Sequence, residues 1–192
     1  MFSSKSYLER KTGPYGVGRL SYLQSLVNEY QNTDSSDAKT QIMANLANFA
    51  YDPINYEHFK SLNIIDLFLD GLEEMDEDLV EYAIGGICNA CVANENRQYI
   101  IDNSGIKLVI SCLSKYSENT VLSAITSLIY LVIPETKQEI TSVPVVECML
   151  RLSHSNNVKL KNLASMFLQD YCSQSVIQEA INIQTTHGHI TR

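Results

Sequence analysis

Residues 86–101 read GICNACVANENRQYII, and the tetrad ICNA within them, at positions 87–90, belongs to a pattern that repeats along the chain. The tetrad LANF at 46–49 precedes it by 41 positions, and LIYL at 128–131 follows it by 41. Apolar residues around these tetrads recur at helical spacing, whereas strand-like alternation is almost absent. Three helices therefore share one register, which is the signature of a repeat protein.

The segments that follow these helices keep the same register at first. Apolar residues between 65 and 72 fall 41 positions before those between 106 and 113, and the next copy, from Val145, follows at 39. A fourth, weaker copy begins near Asn157. Each unit of about 40 residues is then a helical hairpin that buries its apolar face by stacking on its neighbours. The alternative is a helix bundle whose periodicity is accidental.

Local signals place the ends of one helix. Asp34, Ser35 and Ser36 offer an N-cap for a helix that starts near Asp37, because a short side-chain oxygen accepts a hydrogen bond from an unpaired backbone N–H. Pro53 ends that helix.

The distribution of polar residues and glycine divides the chain into three parts. We predict a flexible N-terminal segment at 1–16, a repeat domain at 17–183 and a flexible C-terminal tail at 184–192. Gly85 and Gly86 lie inside a predicted helix, where glycine costs about 1 kcal/mol relative to alanine. They indicate a place where two backbones approach closely.

The overall charge limits the class of partner. The net charge is −8 and the pI is about 4.9, whereas direct affinity for nucleic acid depends on clustered Lys and Arg. A basic protein surface is a better match. The chain has five Cys, and no apolar stretch after Met1 suits a signal peptide or a membrane span, so we expect a reducing intracellular compartment.

Residues 86–106 closely resemble an armadillo repeat. They contain a Leu-x-Asn-Leu-like end of a third helix at 87–90, the Glu-Asn-Arg link at 95–97 and a small residue, Gly105, that opens the next second helix. LANFA at 46–50 is a looser copy. The resemblance implies an all-α, right-handed superhelical solenoid of about four armadillo-type repeats with capping helices.

Longer stretches extend the resemblance from residue 18 to about 175 and point to one group of small armadillo repeat proteins. These stretches are 18–24, 44–53, 67–70, 121–126 and 144–146. The resemblance implies a nuclear, non-catalytic adaptor of the minor spliceosome that pairs with an RNA-recognition-motif protein in pre-mRNA splicing. RNA is then reached only through that partner, and no cofactor, membrane or small-molecule substrate is expected. The alternative is a stand-alone receptor for extended linear peptides.

Armadillo repeats bind extended segments along a concave groove lined by their third helices, where an Asn amide can bond the partner's backbone. The matching positions here are Asn48, Asn89, Tyr130 and Asp170, with Ala44, Gly85 and Thr126 one turn earlier. The chain has no Trp, which departs from the Trp and Asn ladder of nuclear-import receptors. The alternative role of Asn48 and Asn89 is to bond neighbouring helix ends.

A run of carboxylates crosses the boundary between two predicted repeats. It comprises Glu73, Glu74, Asp76, Glu77, Asp78 and Glu81. Such an acidic patch can attract a basic segment through a salt-sensitive field, or it can be a solvated loop in which Asp76 or Asp78 caps a helix. Nothing around it suggests acid–base chemistry.

Cys88 and Cys91 form a Cys-x-x-Cys, but they lie three residues apart in a predicted helix with no second pair at zinc-site spacing. We interpret them as core residues. The sequence contains no nucleophile elbow, phosphate-binding loop or His-Glu-x-x-His motif, so we predict no metal ligand, no catalytic residue and no enzymatic activity.

Overall fold

The computed structural model describes residues 2–12 and 16–188, and every regular element in these ranges is helical. The α-helices are α1 (Lys5–Thr12), α2 (Arg19–Asn32), α3 (Ser36–Ala50), α4 (Tyr56–Ser61), α5 (Ile64–Gly71), α6 (Glu77–Ala90), α7 (Asn94–Asp102), α8 (Gly105–Ser111), α9 (Glu118–Leu131), α10 (Lys137–Ile140), α11 (Val143–Leu152), α12 (Val158–Tyr171) and α13 (Gln174–Gly188). Short 3-10 turns lie at Pro53–Asn55 and Cys112–Ser114. The chain forms two compact units, Met1–Leu108 and Val109–Arg192, which divide within α8.

Four long helices begin after short polar residues at nearly constant spacing. Ser35 caps α3, Asp76 caps α6, Ser117 caps α9 and Asn157 caps α12, with side-chain oxygens that accept backbone N–H groups of the first turn. The intervals between these caps are 41, 41 and 40 residues. The capping residues therefore repeat with nearly the same period as the apolar residues.

The predicted limits of α3 are confirmed. The helix begins at Ser36. The preceding residue, Ser35, is its N-cap, and its hydroxyl oxygen accepts a hydrogen bond from the Ala38 N–H at 3.3 Å. It ends at Ala50, and Pro53 opens the following 3-10 turn, where its missing N–H costs nothing.

In the first unit, α3 packs against α6, α6 against α5, and α2 against α3. The core side chains come from one face of each helix and are fully buried. The largest of them are Leu23, Met43, Leu46, Phe59, Ile64, Phe68, Ile84, Ile87 and Ile100. Burial of each such side chain contributes about 1.5–3 kcal/mol, which offsets the entropy lost on ordering the helices.

In the second unit, α9 packs against α12, and α11 packs against both α12 and α13. Ile125, Leu128 and Phe167 are fully buried in its core. The side chain of Asn157, the cap of α12, also donates to Glu118 Oε2 at 2.6 Å, which joins the starts of α12 and α9.

Buried polar side chains close the carboxyl ends of the long helices. Asn55 Nδ2 donates to the Phe49 carbonyl at 2.8 Å, and Asn96 Nδ2, 41 positions later, donates to the Ala90 carbonyl at 3.2 Å. In the second unit the hydroxyl of Thr136 donates to the carbonyl at the end of α9 at 2.6 Å. These bonds satisfy carbonyls that have no partner within the helix, and they fix where the next short helix starts.

The first residues contain a helix that the sequence pattern did not predict. The described side chains of α1 are exposed or half-buried, so no apolar periodicity announces it. Ahead of it, the Phe2 ring lies 5.6 Å from the Tyr51 ring, and the Ser3 N–H donates to Asp52 Oδ2 at 2.9 Å. Residues 1 and 13–15 of the predicted N-terminal segment lie outside the described residues.

The predicted C-terminal tail overlaps the last helix, because α13 continues from Gln174 to Gly188. The remainder of that tail, 189–192, lies outside the described residues. The boundaries of the repeat domain at 17 and 183 stay predictions.

The two adjacent glycines of α6 differ in their surroundings. A Cβ at Gly86 would lie 2.6 Å from atoms of the buried Phe68 ring, so α5 and α6 do approach closely there. A Cβ at Gly85 would have no heavy atom within 4 Å. The prediction of a close approach is therefore confirmed for Gly86 and wrong for Gly85, which faces open space.

This difference gives a matched pair of substitutions. Gly85→Ala should raise the free energy of unfolding by about 0.5–1 kcal/mol, because alanine is the better helix former. Gly86→Ala gains the same propensity but forces the Phe68 ring aside, so it should be less stable than Gly85→Ala by about 1–3 kcal/mol. Urea unfolding followed by circular dichroism measures both. Equal stabilities would contradict the close contact between α5 and α6.

Candidate protein-binding site

In the first unit, the predicted groove residues lie on the packed helices α3 and α6. Asn48 on α3 is exposed, and its side chain forms no hydrogen bond with the described residues. Ala44 and Gly85, one turn earlier, are half-buried and small, and the space above Gly85 is open. We call the surface formed by Ala44, Asn48, Gly85 and Asn89 the α3–α6 face. This face presents the Asn48 amide together with the small residues Ala44 and Gly85.

Asn89 has the structural role that the sequence left open, because its side chain bonds to a neighbouring helix. Its Nδ2 donates to the Ala47 carbonyl at 3.2 Å, so the amide joins α6 to the last turns of α3. The bond also places Asn89 beside the turn that carries Asn48. Of the two amides, Asn48 has the side chain that is available to a partner.

In the second unit, Thr126 and Tyr130 lie on α9 and Asp170 lies on α12. The Thr126 hydroxyl donates to the Leu122 carbonyl at 2.8 Å within its own helix. Tyr130 is 38% exposed, and Asp170 is also exposed. These side chains belong to the packed pair α9 and α12 and remain candidate contact residues.

Asp76 differs from the other members of the acidic patch because both of its oxygens are used within the fold. Oδ1 accepts from the Asp78 and Leu79 N–H groups at 3.0 and 3.1 Å. Oδ2 accepts from the Ser36 and Thr40 hydroxyls of α3 at 3.1 and 3.3 Å. The hydrogen bond from the Leu79 N–H, helped by the others, holds the pKa of Asp76 below its ordinary value. The carboxylate therefore caps α6 and ties it to α3.

Four other members of the acidic patch face solvent to a greater degree than Asp76. Glu73, Glu74, Glu77 and Asp78 are exposed, and Glu81 is half-buried. The patch lies in an unevenly charged chain: Met1–Leu108 contains 16 acidic and 8 basic residues, whereas Val109–Arg192 contains six of each. The whole net charge of −8 therefore belongs to the first unit.

Cys91 and Cys112 are buried core residues, as predicted for Cys91, whereas Cys88, Cys148 and Cys172 are half-buried. Burial raises the pKa of the Cys91 thiol far above its ordinary value, and burial raises the pKa of Cys112 to about 11. At neutral pH both remain protonated and poorly nucleophilic. Within 2–12 and 16–188, no group of three or more His, Cys, Asp or Glu side chains could hold a metal ion.

Among the helices of the described residues, none is long and apolar enough to cross a bilayer.

The sequence did not predict a cleft of about 970 Å³ between α4 and α7 in the first unit. Its walls include Tyr56 and Tyr99, and its floor includes Phe59 and Ile65. We call it the α4–α7 cleft. The sequence feature that could have indicated this cleft is a Tyr after each buried Asn. Tyr56 follows Asn55 directly, and Tyr99 lies three positions after Asn96.

Helices capped every 40 or 41 residues, with small residues and an exposed Asn on the packed long helices, are typical of an armadillo repeat protein. Solved structures show the same fold. One computationally designed armadillo repeat protein for modular peptide recognition matches with a TM-score of 0.69 and 18% identity, over 77% of this chain and 63% of its own. A designed armadillo repeat protein in complex with the peptide (KR)4 matches with a TM-score of 0.69 and 15% identity, over 84% and 71%.

Sequence similarity to a curated protein identifies the family within the armadillo repeat proteins. Armadillo repeat-containing protein 7 of Mus musculus is 53% identical over 166 residues, which cover 85% of this chain and 84% of that protein. The chain therefore belongs to the armadillo repeat-containing protein 7 family. No family model matches it. The predicted all-α armadillo repeat fold and the family resemblance are confirmed.

The two groove amides can be separated by their effect on stability. Asn48→Ala and Asn89→Ala gain the same helix propensity, but only Asn89→Ala removes a bond between α6 and α3. Asn89→Ala should therefore be less stable than Asn48→Ala by about 1 kcal/mol in thermal or urea unfolding. Identical unfolding curves would show that the Asn89 bond contributes nothing.

Asp76→Ala should lower the free energy of unfolding by about 1 kcal/mol at pH 7, because α6 loses its cap. The folded state holds the pKa of Asp76 down, so its carboxylate stabilises the fold at neutral pH. That contribution disappears as the pH falls through the lowered pKa, and the two proteins should converge in acid. Glu73→Ala, at an exposed position of the same patch, is the control and should change stability by less than about 0.5 kcal/mol. A constant difference between wild type and Asp76→Ala down to acid pH would contradict the role of the charge.

Proposed function

We propose that this chain is a non-catalytic adaptor that binds an RNA-recognition-motif protein of the minor spliceosome and acts in pre-mRNA splicing in the nucleus. The observation that carries the binding role is the α3–α6 face, where Asn48 is exposed beside small residues on an armadillo scaffold. Armadillo repeat proteins are generally non-catalytic binding scaffolds. The particular partner and compartment come from the resemblance of the long stretches between residues 18 and 175 to one group of this family.

The charge distribution supports this division of roles. The first unit carries the whole net charge of −8, so it repels phosphate backbones and attracts basic protein surfaces. Under this proposal the partner contacts the RNA, and the chain contacts the partner. The acidic patch speeds the encounter, an effect that falls as salt rises.

A stand-alone receptor for extended peptides is the second candidate. The designed armadillo repeat protein with bound (KR)4 favours it, because the fold there accepts a basic peptide. In this chain, Asn48 and the acidic first unit suit such a ligand. The chain lacks Trp, and one of its two groove amides is engaged within the fold, so the receptor face is smaller than a full Asn ladder.

A pull-down from nuclear extract with the tagged full chain tests the proposal, with bound proteins read by mass spectrometry and bound RNA by sequencing. We expect one RNA-recognition-motif protein together with minor-spliceosomal RNA. Recovery of cytosolic or membrane proteins instead would remove the splicing assignment. Exchange of many short extended peptides would favour the receptor.

Two variants connect that result to the α3–α6 face. Asn48→Arg places a long cation on the face and should reduce capture of the partner at least about tenfold, through bulk and reversed charge complementarity. Gln31→Arg makes the same chemical change at an exposed position of α2 and should leave capture unchanged. Equal capture by both variants would show that the partner binds elsewhere.

A further inference from the structure

The α4–α7 cleft lies apart from the α3–α6 face. It is lined by residues of the Pro53–Asn55 turn, of α4, of the start of α5 with Asn63 before it, and of α7 with the two residues before it. No lining residue belongs to α3 or α6. The cleft is therefore a second surface, formed by the first helices of two successive repeats within the first unit.

The floor and rim of the cleft are suited to an apolar side chain. Phe59 and Ile65 are buried at its base. Val92 and Tyr99 on its rim are 56% and 39% exposed, although each has a large apolar surface. Covering Val92 and Tyr99 with an aliphatic or aromatic anchor would remove apolar area from water, which is a main source of binding energy.

Hydrogen bonds hold the walls in place. The Tyr56 hydroxyl donates to the Asn89 carbonyl at 3.1 Å, and the Tyr99 hydroxyl donates to the Asp66 carboxylate at 2.8 Å. The buried amides of Asn55 and Asn96 fix the starts of α4 and α7 against the preceding long helices. A site with fixed walls loses little conformational entropy when it binds.

The charged residues of the cleft select the sign of the occupant. Glu57, Glu95 and Asp102 line it, and all three are exposed. Lys60 is the cation among the lining residues. The local excess of carboxylates lies in the unit that carries the whole net negative charge, so a cationic segment is complementary both to the rim and to the surrounding field.

We propose that the α4–α7 cleft docks a basic segment of a protein partner, with one aliphatic or aromatic side chain against Val92 and Tyr99 and flanking Lys or Arg side chains at the acidic rim. This proposal depends on the proposed adaptor function in one respect, which is that the occupant is a protein. It adds a second contact to the α3–α6 face, and two linked contacts bind more tightly than either alone.

The test uses the 15N-labelled full chain and a synthetic peptide, acetyl-Lys-Arg-Leu-Leu-Arg-Lys-amide, titrated by NMR. The largest shifts should fall on amides of 56–60 and 92–102. A peptide with Gln in place of every Lys and Arg should bind at least tenfold more weakly. Absence of binding at millimolar peptide, or shifts confined to α3 and α6, would overturn the proposal.

Charge-reversal variants separate docking from general attraction. The double variant Glu57→Lys with Asp102→Lys should weaken peptide binding at least tenfold. The control, Glu29→Lys with Asp34→Lys, makes the same change in net charge at exposed positions outside both the cleft and the acidic patch and should stay within twofold of wild type. Equal weakening by both double variants would overturn docking in the cleft. Circular dichroism confirms that each variant is folded.

The two proposals fail in different ways. The peptide titration needs no natural partner, so it is decisive even if the nuclear pull-down recovers no splicing protein. If the pull-down succeeds while the peptide ignores the cleft, the adaptor function stands and the cleft proposal falls. If both cleft and control variants capture the natural partner as wild type does, the cleft is no part of that interface and the proposal is again overturned.

Discussion

The Asp76 carboxylate holds the start of α6 against the start of α3, and the first unit depends on that register. One oxygen caps α6, while the other accepts two hydroxyl hydrogen bonds from α3. At the far end, Asn89 reaches back to the Ala47 carbonyl. Two long helices are thus pinned near both ends, and the apolar side chains between them meet in one arrangement. In the second unit, the bond between Asn157 and Glu118 joins the starts of α12 and α9.

The register of α3 against α6 determines which side chains remain exposed. Asp76 and Asn89 are engaged in capping and in bonds between helices, so the ladder spacing of Asn89 does not by itself indicate a role in binding. Asn48 is exposed on α3, and the space above Gly85 on α6 is open, so the proposed α3–α6 face has room for an extended segment. The same geometry sets α4 and α7 apart and leaves a cleft between them. Both surfaces lie in the unit that carries the net charge.

Much of this fold could be predicted from the sequence because its signals are local or periodic. The 41-residue recurrence, the cap at Ser35 and the close approach at Gly86 needed only spacing and residue type. Other features depend on partners far along the chain. Asp76 reads as a local cap, but its bonds to α3 join residues 36 and 40 positions apart. Gly85 looks identical to Gly86 until the direction of each missing side chain is known. The cleft is a space between elements, and no single segment encodes it.

The central claim is that the acidic first unit carries the contacts with a protein partner. Hydrogen–deuterium exchange of the full chain, alone and bound to the partner recovered from nuclear extract, tests this claim most directly. The account predicts slower exchange on α3 and α6, at residues 44–48 and 85–89, and along the cleft at 56–60 and 92–102. Slower exchange confined to residues 109–188, with the first unit unchanged, would contradict it.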